Sequence, residues 1–485
     1  MNGAPHAVVI GGGIAGLAAA HALQQRADAA GARLRLTVLE REPRWGGKIR
    51  TEQVDGFVIE GGPDTFVATK PWGVALCRAL GLESRLQPAN AERRRVYVLR
   101  RGRLLPLPDG LAMMVPTRPG PMLRTPLLSP LGKLRLGLDL LLPARRADGD
   151  ESLGAFLSRR LGREAYLHLI EPLMSGIYAG DGDRLSLRST FPHLHEWERR
   201  HGSLARAAWA FAGARRAAAG GAPPSIFLTP IGGLGELVDA LLERLQGCDL
   251  RAGAEAAGLE RTPGGYRVLL HSGETLTAQA VVLAAPAFDA AALLAPHDPE
   301  LAAALAAIEY VSTATVSLAY DLADLPRPLD GHGYVIPRAE GRPALACTWT
   351  STKFPHRAPP GRALLRLFFG RAGQEQALAL DDRALVSLAR RELADTLGVQ
   401  AEPRLARVAR WPRAMPQYNL GHLERLAFIT GRIERWPGLA LAGAAYAGIG
   451  IPDCIHSAQQ AAEAVWPALT AGAPLPAAAL PQALS

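Results

Sequence analysis

A glycine-rich stretch near the N-terminus constrains this fold more than any other part of the sequence. It reads AVVIGGGIAGLAAAHAL and begins at Ala7. An apolar run, a glycine turn and an alanine-rich segment predict a strand, a tight turn and a helix. Gly11, Gly13 and Gly16 have the G-x-G-x-x-G spacing. Such a turn brings the backbone close to a pyrophosphate, and the helix N-terminus offers free N–H groups to it.

The next apolar run, RLRLTVLE, predicts a second strand that ends at Glu40. An acidic residue about 20 residues past the glycines can accept hydrogen bonds from the ribose hydroxyls of a dinucleotide. A carboxylate there also disfavours the 2′-phosphate of NADP. The glycines and Glu40 together therefore predict a site for FAD or NAD.

A second pair of glycines decides between these two cofactors. Gly46 and Gly47 lie in the stretch EREPRWGGKIRT, flanked by Arg44 and Lys48. Two adjacent residues without Cβ allow the backbone to lie against a ligand, and the two cations can counter phosphate charge. A nicotinamide dehydrogenase does not need this second clamp, so the pair favours FAD. A simple β-turn is the alternative interpretation.

Composition narrows the class of protein further. The 485 residues carry a net charge of +9, which fits either plain solubility or a basic surface for an anionic substrate or lipid headgroups. The chain has no nucleic-acid-binding motif. Its four cysteines lack metal-binding spacing, so we expect no metal and unpaired thiols in a reducing compartment. Without an apolar run of about 18 residues or a signal sequence, the chain is expected in the cytoplasm.

Longer stretches of the sequence resemble the oxygen-dependent porphyrinogen oxidases of haem biosynthesis, within the flavin amine-oxidase-like superfamily. That family includes protoporphyrinogen oxidase and coproporphyrinogen III oxidase. The segments VVIGGGIAGLAAA and RWGGKIRT are shared with many flavin amine oxidases, whereas GFVIEGGPDTF is more specific. The most specific is DESLGAFLSRRLGREAYLHLIEPLMSGIYAGD, residues 150–181, and RWPRAMPQYNLGH and LAGAAYAGIGIPDCIHS follow it in order. Two positions depart from the usual pattern, Gly61 in place of Arg and Ala256 in place of Val.

The resemblance implies an α/β fold. A Rossmann-like FAD-binding domain would be assembled from discontinuous segments, residues 1–70, 225–297 and 405–485. Residues 71–94 and 298–404 would form an α+β substrate-binding domain. A mostly helical domain, residues 95–224, would line the substrate channel or face a membrane.

The resemblance also implies which residues contact FAD. The first turn would contribute Gly11, Gly13, Ile14, Ala15 and Gly16, with Glu40 on the adenosine ribose. The second clamp would contribute Arg44, Gly46, Gly47 and Lys48, followed by Gly61, Gly62 and Pro63. Ala256 would face the adenine by its backbone, and Trp411 would lie along the flavin, although a core aromatic is the alternative for Trp411. A C-terminal turn with Gly443, Gly448, Ile449, Gly450 and Ile451 would open a helix towards the flavin pyrimidine ring, where a positive helix end stabilises negative charge.

The reaction implied is the six-electron oxidation of a porphyrinogen, with electrons passing through FAD to oxygen and release of hydrogen peroxide. The cofactor does the redox chemistry, so no acid or base residue is assigned. Lys70, Phe66, Ile177 and Tyr178 are the candidates for lining the substrate cavity, with Lys70 paired to a propionate. An exposed loop lysine is the alternative for Lys70. The positive charge slightly favours coproporphyrinogen III, which carries four propionates, over protoporphyrinogen IX, which carries two.

The flavin-binding motifs alone are also shared with proteins of other functions. A flavin amine oxidase or desaturase, an NAD-dependent dehydrogenase and a non-catalytic tetrapyrrole-binding flavoprotein are the alternatives. Apart from the porphyrinogen and oxygen, the expected partners are a membrane surface, contacted peripherally, and neighbouring enzymes of the haem pathway. No nucleic-acid partner is expected.

Overall fold

The computed structural model describes residues 4–112, 114–145, 149–218 and 226–470. Two large sheets organise this part of the chain. We call them the nucleotide sheet, which has five strands, and the substrate sheet, which has seven.

The nucleotide sheet is entirely parallel. Its strands lie in the order Asp249–Ala252, Arg35–Glu40, His6–Ile10, Ala280–Leu283 and Leu439–Leu441. In its central strand Ala7 and Val9 point into one core and Val8 and Ile10 into another, as the alternation of a pleated strand requires. Distant segments of the chain thus share one sheet with both faces covered, which confirms the predicted α/β fold built from discontinuous segments.

Helices cover one face of the nucleotide sheet and a mixed layer covers the other. The first face carries the helices Ile14–Ala29, Pro71–Ala79, Gly235–Arg244 and Ile451–Thr470. The second carries the antiparallel strands Ala256–Thr262, Gly265–Leu270 and Thr275–Ala278, with the helices Ala287–Leu294, Pro299–Ala306 and His422–Ile433.

The substrate sheet is antiparallel except at one junction. Its strands lie in the order Leu405–Pro416, Tyr310–Asp321, Arg362–Phe369, Ala344–Trp349, Gly331–Val335, Arg95–Arg100 and Arg103–Pro106. Only the pair Gly331–Val335 and Arg95–Arg100 is parallel. The helix Asp382–Leu397 packs on the core of this sheet and begins at Asp381, whose carboxylate accepts a hydrogen bond from the N–H of Ala384 at 2.7 Å.

Two segments differ from their expected places. Arg95–Arg100 and Arg103–Pro106, expected in the helical region, form a hairpin on the edge of the substrate sheet. Leu405–Pro416, expected with the FAD-binding segments, pairs with Tyr310–Asp321 in the same sheet. The pairing of Arg95–Arg100 with Gly331–Val335 and that of Leu405–Pro416 with Tyr310–Asp321 are long-range, so local sequence patterns do not reveal them.

The remaining elements lie mainly in the helical region. The helical region contains Pro119–Arg124, Pro130–Gly137, Leu153–Leu161, Arg163–Ala165, Glu171–Tyr178, Leu187–Thr190, Pro192–His201 and Leu204–Ala218, with a wider π-helical turn at Tyr166–Ile170. Thr350–Lys353 is a single helical turn beside the substrate sheet. Two small sheets have two strands each: Thr51–Val54 pairs with Phe57–Glu60, and Leu111–Ala112 pairs with Val115–Pro116. A third small sheet has three strands, with Phe227–Pro230 between Phe66–Val67 and Leu86–Pro88. In the described ranges, every helix is too short or too polar to cross a bilayer.

Candidate functional site

The first glycine turn follows the central strand of the nucleotide sheet. Gly11 has a φ of +114°, and a Cβ there would lie 2.8 Å from the carbonyl carbon of Ala284. A Cβ on Gly16 would lie 1.7 Å from the carbonyl oxygen of Gly11. Ile14 and Ala15 form the first turn of the following helix. The two glycines are therefore required for this turn to close against its own helix and the neighbouring strand.

The second glycine pair packs directly on the first turn. The N–H of Gly46 donates to the carbonyl oxygen of Gly12 at 2.9 Å, and Gly13 forms an isolated β-bridge with Gly46. A Cβ on Gly47, whose φ is +56°, would lie 3.0 Å from the Cα of Gly13. The adjacent glycines thus allow two turns, distant in sequence, to meet backbone to backbone and form one glycine-lined surface.

Glu40 lies at the end of its strand with a buried side chain. Its carboxylate accepts hydrogen bonds from the N–H of Gly12 at 2.7 Å and from the N–H of Glu42 at 2.8 Å. Its carbonyl oxygen accepts from the N–H of Ala254 at 2.8 Å, two residues before Ala256. The carboxylate is therefore fixed against the first turn, and the segment that leads to Ala256 lies beside it.

The two cations of the second clamp differ in their surroundings. Arg44 donates to the carbonyl oxygens of Gly47 at 2.6 Å and Ile49 at 3.3 Å, so it holds its own turn in shape. Lys48 is half-buried and makes no hydrogen bond or ion pair with the part of the chain that the structure describes. Burial lowers the pKa of Lys48, while the nearby thiol of Cys454 acts in the opposite direction. The Lys48 ammonium is thus a partly desolvated cation that no carboxylate of the described residues balances.

A hydrogen bond connects Trp411 to Gly61, which follows the second clamp in sequence. The carbonyl oxygen of Gly61 accepts hydrogen bonds from the indole Nε1 of Trp411 at 2.8 Å, the hydroxyl of Thr315 at 3.0 Å and the guanidinium of Arg366 at 3.1 Å. A Cβ on Gly62 would lie 1.8 Å from the carbonyl oxygen of Lys48. The segment that ends in Pro63 therefore lies between the second clamp and the substrate sheet.

The C-terminal turn approaches the same surface from the other end of the chain. A Cβ on Gly443, whose φ is +121°, would lie 3.8 Å from the Cβ of Ala15 in the first turn. The hydroxyl of Tyr418 accepts from the N–H of Gly448 at 2.8 Å and donates to the carbonyl oxygen of Ala444 at 2.6 Å. Ile449 packs against the buried core of the helical region. Gly450 then leads into the helix that begins at Ile451.

The four candidates for the substrate cavity are not brought together as a lining. Phe66 is buried in the core beneath the nucleotide sheet, so its ring is not available to a ligand. Tyr178 is also buried, with its ring against Phe191 and Tyr418. Ile177 is 47% exposed. Lys70 is half-exposed, but both oxygens of one carboxylate already bind its ammonium, as described below.

A buried cluster of charges lies behind Gly61, and the sequence did not suggest it. Arg357 donates to the carboxylate of Glu60 at 3.0 Å, and Lys353 to that of Asp64 at 2.9 Å. Burial alone would raise the pKa of Asp64, but the cations of Lys353 and Arg366 hold it well below its usual range. The described residues contain no group of three or more His, Cys, Asp or Glu side chains suited to a metal ion.

Two further residues at the site were missed from the sequence. Arg366 sits in the middle of an apolar strand, and a lone charge in such a run is a signal that could have found it. Asp453 is in the first turn of the C-terminal helix, where an acidic residue commonly marks a helix start. That position did not by itself reveal its partner, Lys70, because the two residues are distant in sequence.

Comparison with known proteins agrees with this geometry. The profile of the family described as flavin containing amine oxidoreductase matches residues 14–466. The chain therefore belongs to this family, and it is an FAD-dependent oxidoreductase. The tight glycine turn between the central strand and the helix Ile14–Ala29, with Glu40 at the end of the neighbouring strand, fits a dinucleotide of this kind. The NAD-dependent dehydrogenase considered above is thereby set aside.

Within this family, the chain is similar over nearly its whole length to several proteins named as porphyrinogen oxidases. The chain is 38% identical to a coproporphyrinogen III oxidase of Bacillus subtilis over 95% of this chain and 97% of that protein. It is 30% identical to protoporphyrinogen oxidase 1 of Arabidopsis thaliana over 94% and 87% of the two chains. The crystal structure of a putative protoporphyrinogen oxidase from Exiguobacterium sp. 255-15 is 34% identical, covers 96% of this chain and 99% of its own, and superposes with a TM-score of 0.84. These similarities confirm the predicted relationship to the porphyrinogen oxidases.

Proposed function

We propose that this protein oxidises a porphyrinogen to the corresponding porphyrin in haem biosynthesis, using FAD and oxygen, and that it prefers coproporphyrinogen III. The observation that carries the proposal is the full-length similarity to proteins named coproporphyrinogen III oxidase. Similarity to the plant protoporphyrinogen oxidases is lower, at 30% identity. The amine oxidases of known structure are only 17–19% identical, so they support the shared fold and not an amine substrate.

The glycine-lined surface is the proposed FAD site. Gly11, Gly13 and Gly16 with the start of their helix would hold the pyrophosphate, and Glu40 would bind the ribose. Gly46 and Gly47 would let the backbone approach the ligand, while Lys48 would pair with its phosphate groups, since no carboxylate of the described residues pairs with Lys48. The family resemblance supports these roles, while the close approaches at Gly11, Gly16, Gly46 and Gly47 are to other atoms of the protein and fix the shape of the turns.

The rest of the predicted contacts fall on two further segments. Gly61, Gly62, Pro63 and Trp411 would contact the flavin. The turn from Gly443 to Ile451 would meet its pyrimidine end, and Ala256 would contact the adenine. In this arrangement the flavin would lie where the nucleotide sheet, the substrate sheet and the helical region meet.

The chemistry needs little from protein acids or bases. When bound, FAD would supply the redox chemistry, which amounts to three two-electron oxidations of the substrate with oxygen as the final electron acceptor. Six electrons and six protons leave the porphyrinogen, and three molecules of oxygen become three of hydrogen peroxide. The protein would bind the large apolar ring and orient one edge of it towards the cofactor. Lys70 would pair with a propionate, and Ile177, which is 47% exposed, would contact the ring.

Porphyrin fluorescence gives a direct test. Purified protein is mixed in air with coproporphyrinogen III or protoporphyrinogen IX, and the rate of fluorescence increase is compared with spontaneous oxidation. We expect a faster enzymatic rate with coproporphyrinogen III. A faster rate with protoporphyrinogen IX would reverse the substrate assignment, and no rate above the background with either would refute porphyrinogen oxidation.

Exposed leucines in the helical region support peripheral contact with an anionic membrane. Four of them are highly exposed, namely Leu123 at 67%, Leu131 at 78%, Leu134 at 68% and Leu141 at 78%. They lie in or just after two short helices that are close together in sequence. Exposed Arg118 and Arg124 lie nearby in sequence. Apolar side chains near basic ones are typical of surfaces that sit at an anionic bilayer interface.

Vesicle flotation tests this contact. The wild-type protein is expected to float with vesicles that contain anionic lipid at low salt, and the double variant Leu131→Glu, Leu134→Glu is expected to stay in the soluble fraction. Leu322→Glu, at an exposed leucine of the substrate-sheet region, serves as the matched control. Wild-type protein that does not float would refute membrane contact. Contact with neighbouring enzymes of the haem pathway stays a prediction.

A further inference from the structure

One carboxylate links the loop that carries Lys70 to the C-terminal helix. Both oxygens of Asp453 accept hydrogen bonds from the ammonium of Lys70, at 2.6 and 2.7 Å. Lys70 immediately precedes the helix Pro71–Ala79, whereas Asp453 is the third residue of the helix that begins at Ile451. The contact therefore joins two segments separated by most of the chain.

The same carboxylate also shapes the C-terminal turn. The N–H of Gly450 donates to Oδ2 of Asp453 at 3.3 Å. A Cβ on Gly448, whose φ is +139°, would lie 2.4 Å from Cγ of Asp453. The backbone between these two glycines is thus folded over the Asp453 side chain, which is only 10% exposed.

The two partners differ in how firmly the fold holds them. The side chain of Lys70 is 44% exposed, and a lysine has a long flexible stem. Asp453 lies in the first turn of a 20-residue helix, where the positive end of the helix dipole favours a carboxylate. The ordered partner is therefore Asp453, and the lysine takes its position from it.

We infer that Asp453 is a positioning residue that fixes the ammonium of Lys70 and the turn from Gly448 to Gly450 in one arrangement. This inference rests on the proposed function, because it assigns to Lys70 the capture of a substrate propionate. An ammonium has three donors, and Asp453 occupies two of them. The third remains for an anion that arrives from the open side, so substrate binding does not require the pair to break.

Three variants separate the two contacts of Asp453. Asp453→Asn keeps an acceptor for Gly450 but removes the charge that holds Lys70. Asp453→Ala removes both contacts, and Lys70→Ala removes the cation. We expect Asp453→Asn to raise the KM for coproporphyrinogen III about tenfold, with kcat and the dissociation constant of FAD each within about threefold of wild type. Asp453→Ala is expected to raise the dissociation constant of FAD about tenfold as well.

A double-mutant comparison makes the inference specific. Because Asp453 would act on the substrate through Lys70, the KM of Lys70→Ala, Asp453→Asn should equal that of Lys70→Ala alone. Glu463→Gln is the matched control, since Glu463 is an exposed carboxylate on the same helix that pairs with Arg26 at 3.3 Å. It should change none of these values.

The outcomes distinguish the inference from the proposed function. An unchanged or lower KM in Asp453→Asn, or additive effects in the double variant, would overturn the positioning role. If the wild-type protein forms no porphyrin above the spontaneous rate, the proposed function fails. In that case titration of the apo-proteins with FAD still tests the turn, because equal affinities for wild type and Asp453→Ala would overturn that part of the inference.

Discussion

The indole Nε1 of Trp411 donates a hydrogen bond of 2.8 Å to the carbonyl oxygen of Gly61. This hydrogen bond connects the substrate sheet to the segment of residues 61–63, which is expected to contact FAD. Trp411 is also close to the second clamp, since the guanidinium of Arg44 lies 5.8 Å from the centre of its ring. One side chain thus contacts both segments that would hold the flavin.

Trp411→Phe is expected to weaken FAD binding modestly. The variant keeps an aromatic ring but loses the donor, while the carbonyl oxygen of Gly61 keeps Thr315 and Arg366 as donors. Loss of one neutral hydrogen bond corresponds to about a fivefold rise in the dissociation constant, measured by titrating apo-protein and following flavin fluorescence. Trp209→Phe, at an exposed tryptophan, should leave affinity unchanged. Equal affinities for wild type and Trp411→Phe would argue against the role of Trp411.

Gly16→Ala is expected to abolish FAD binding and to destabilise the fold. The new methyl group would lie 1.7 Å from the carbonyl oxygen of Gly11, so the turn would have to open. Purified protein should be colourless or insoluble. Gly247→Ala is the control, because a Cβ there has nothing within 4 Å. A yellow, soluble Gly16→Ala protein with normal FAD content would contradict this description of the turn.

Lys70→Ala should affect substrate binding more than turnover. Without the ammonium, a propionate loses its cation while the flavin chemistry is untouched, so KM should rise about tenfold and kcat change less than about threefold. Steady-state rates of porphyrin formation measure both. Lys133→Ala provides a control on a helix of the helical region. Unchanged kinetics in Lys70→Ala would exclude Lys70 from substrate binding.

His422 should make the protein less stable in mild acid. Burial lowers the pKa of His422 from 6.5 to about 4, so the unfolded chain takes up a proton before the folded one does. The contribution of His422 to the free energy of unfolding is complete above pH 6.5 and is lost as the pH falls towards about 4. This loss lowers the free energy of unfolding by roughly 3 kcal/mol.

The apparent melting temperature between pH 7 and pH 5 checks this expectation. His422→Gln should show a smaller fall than wild type, because it does not titrate. His271→Gln, at an exposed histidine, should follow the wild type. The effect should also reach the C-terminal turn, since the ring of His422 stacks on Tyr418 at 4.1 Å. A fall of equal size in wild type and His422→Gln would show that another group is responsible.

The parts of the site that could be predicted are those that depend on local backbone geometry. Gly11, Gly16 and Gly47 have little room for a side chain. Only glycine fits at such positions, so the spacing of the glycines in the sequence indicates where the tight turns lie. Glu40 could be predicted because it ends a strand at a regular distance from that turn. The positive φ of Gly11 and Gly47 and the contact of Gly16 with Gly11 are local in sequence, whereas the contacts of Gly11 with Ala284 and of Gly47 with Gly13 join distant segments.

The parts that could not be predicted depend on contacts between distant segments. Phe66 follows the second clamp in sequence, but its ring turns into the core, and no local pattern shows which way a single aromatic residue points. The pairing of Lys70 with Asp453 and of Arg357 with Glu60 depends on how separate segments meet. Composition gave the net charge of +9, but it could not show which charged side chains pair with one another.

The order of strands in the nucleotide sheet has a consequence for synthesis on the ribosome. The central strand ends at Ile10, whereas the edge strand Leu439–Leu441 is made roughly 430 residues later. Because synthesis proceeds at about 5 to 20 residues per second, about 20 to 90 seconds pass between synthesis of the first strand and synthesis of the last. During this time one edge of an apolar parallel sheet is uncovered, and such edges invite association with other chains. A nascent chain stalled before Leu439 should therefore bind chaperones that the finished protein does not.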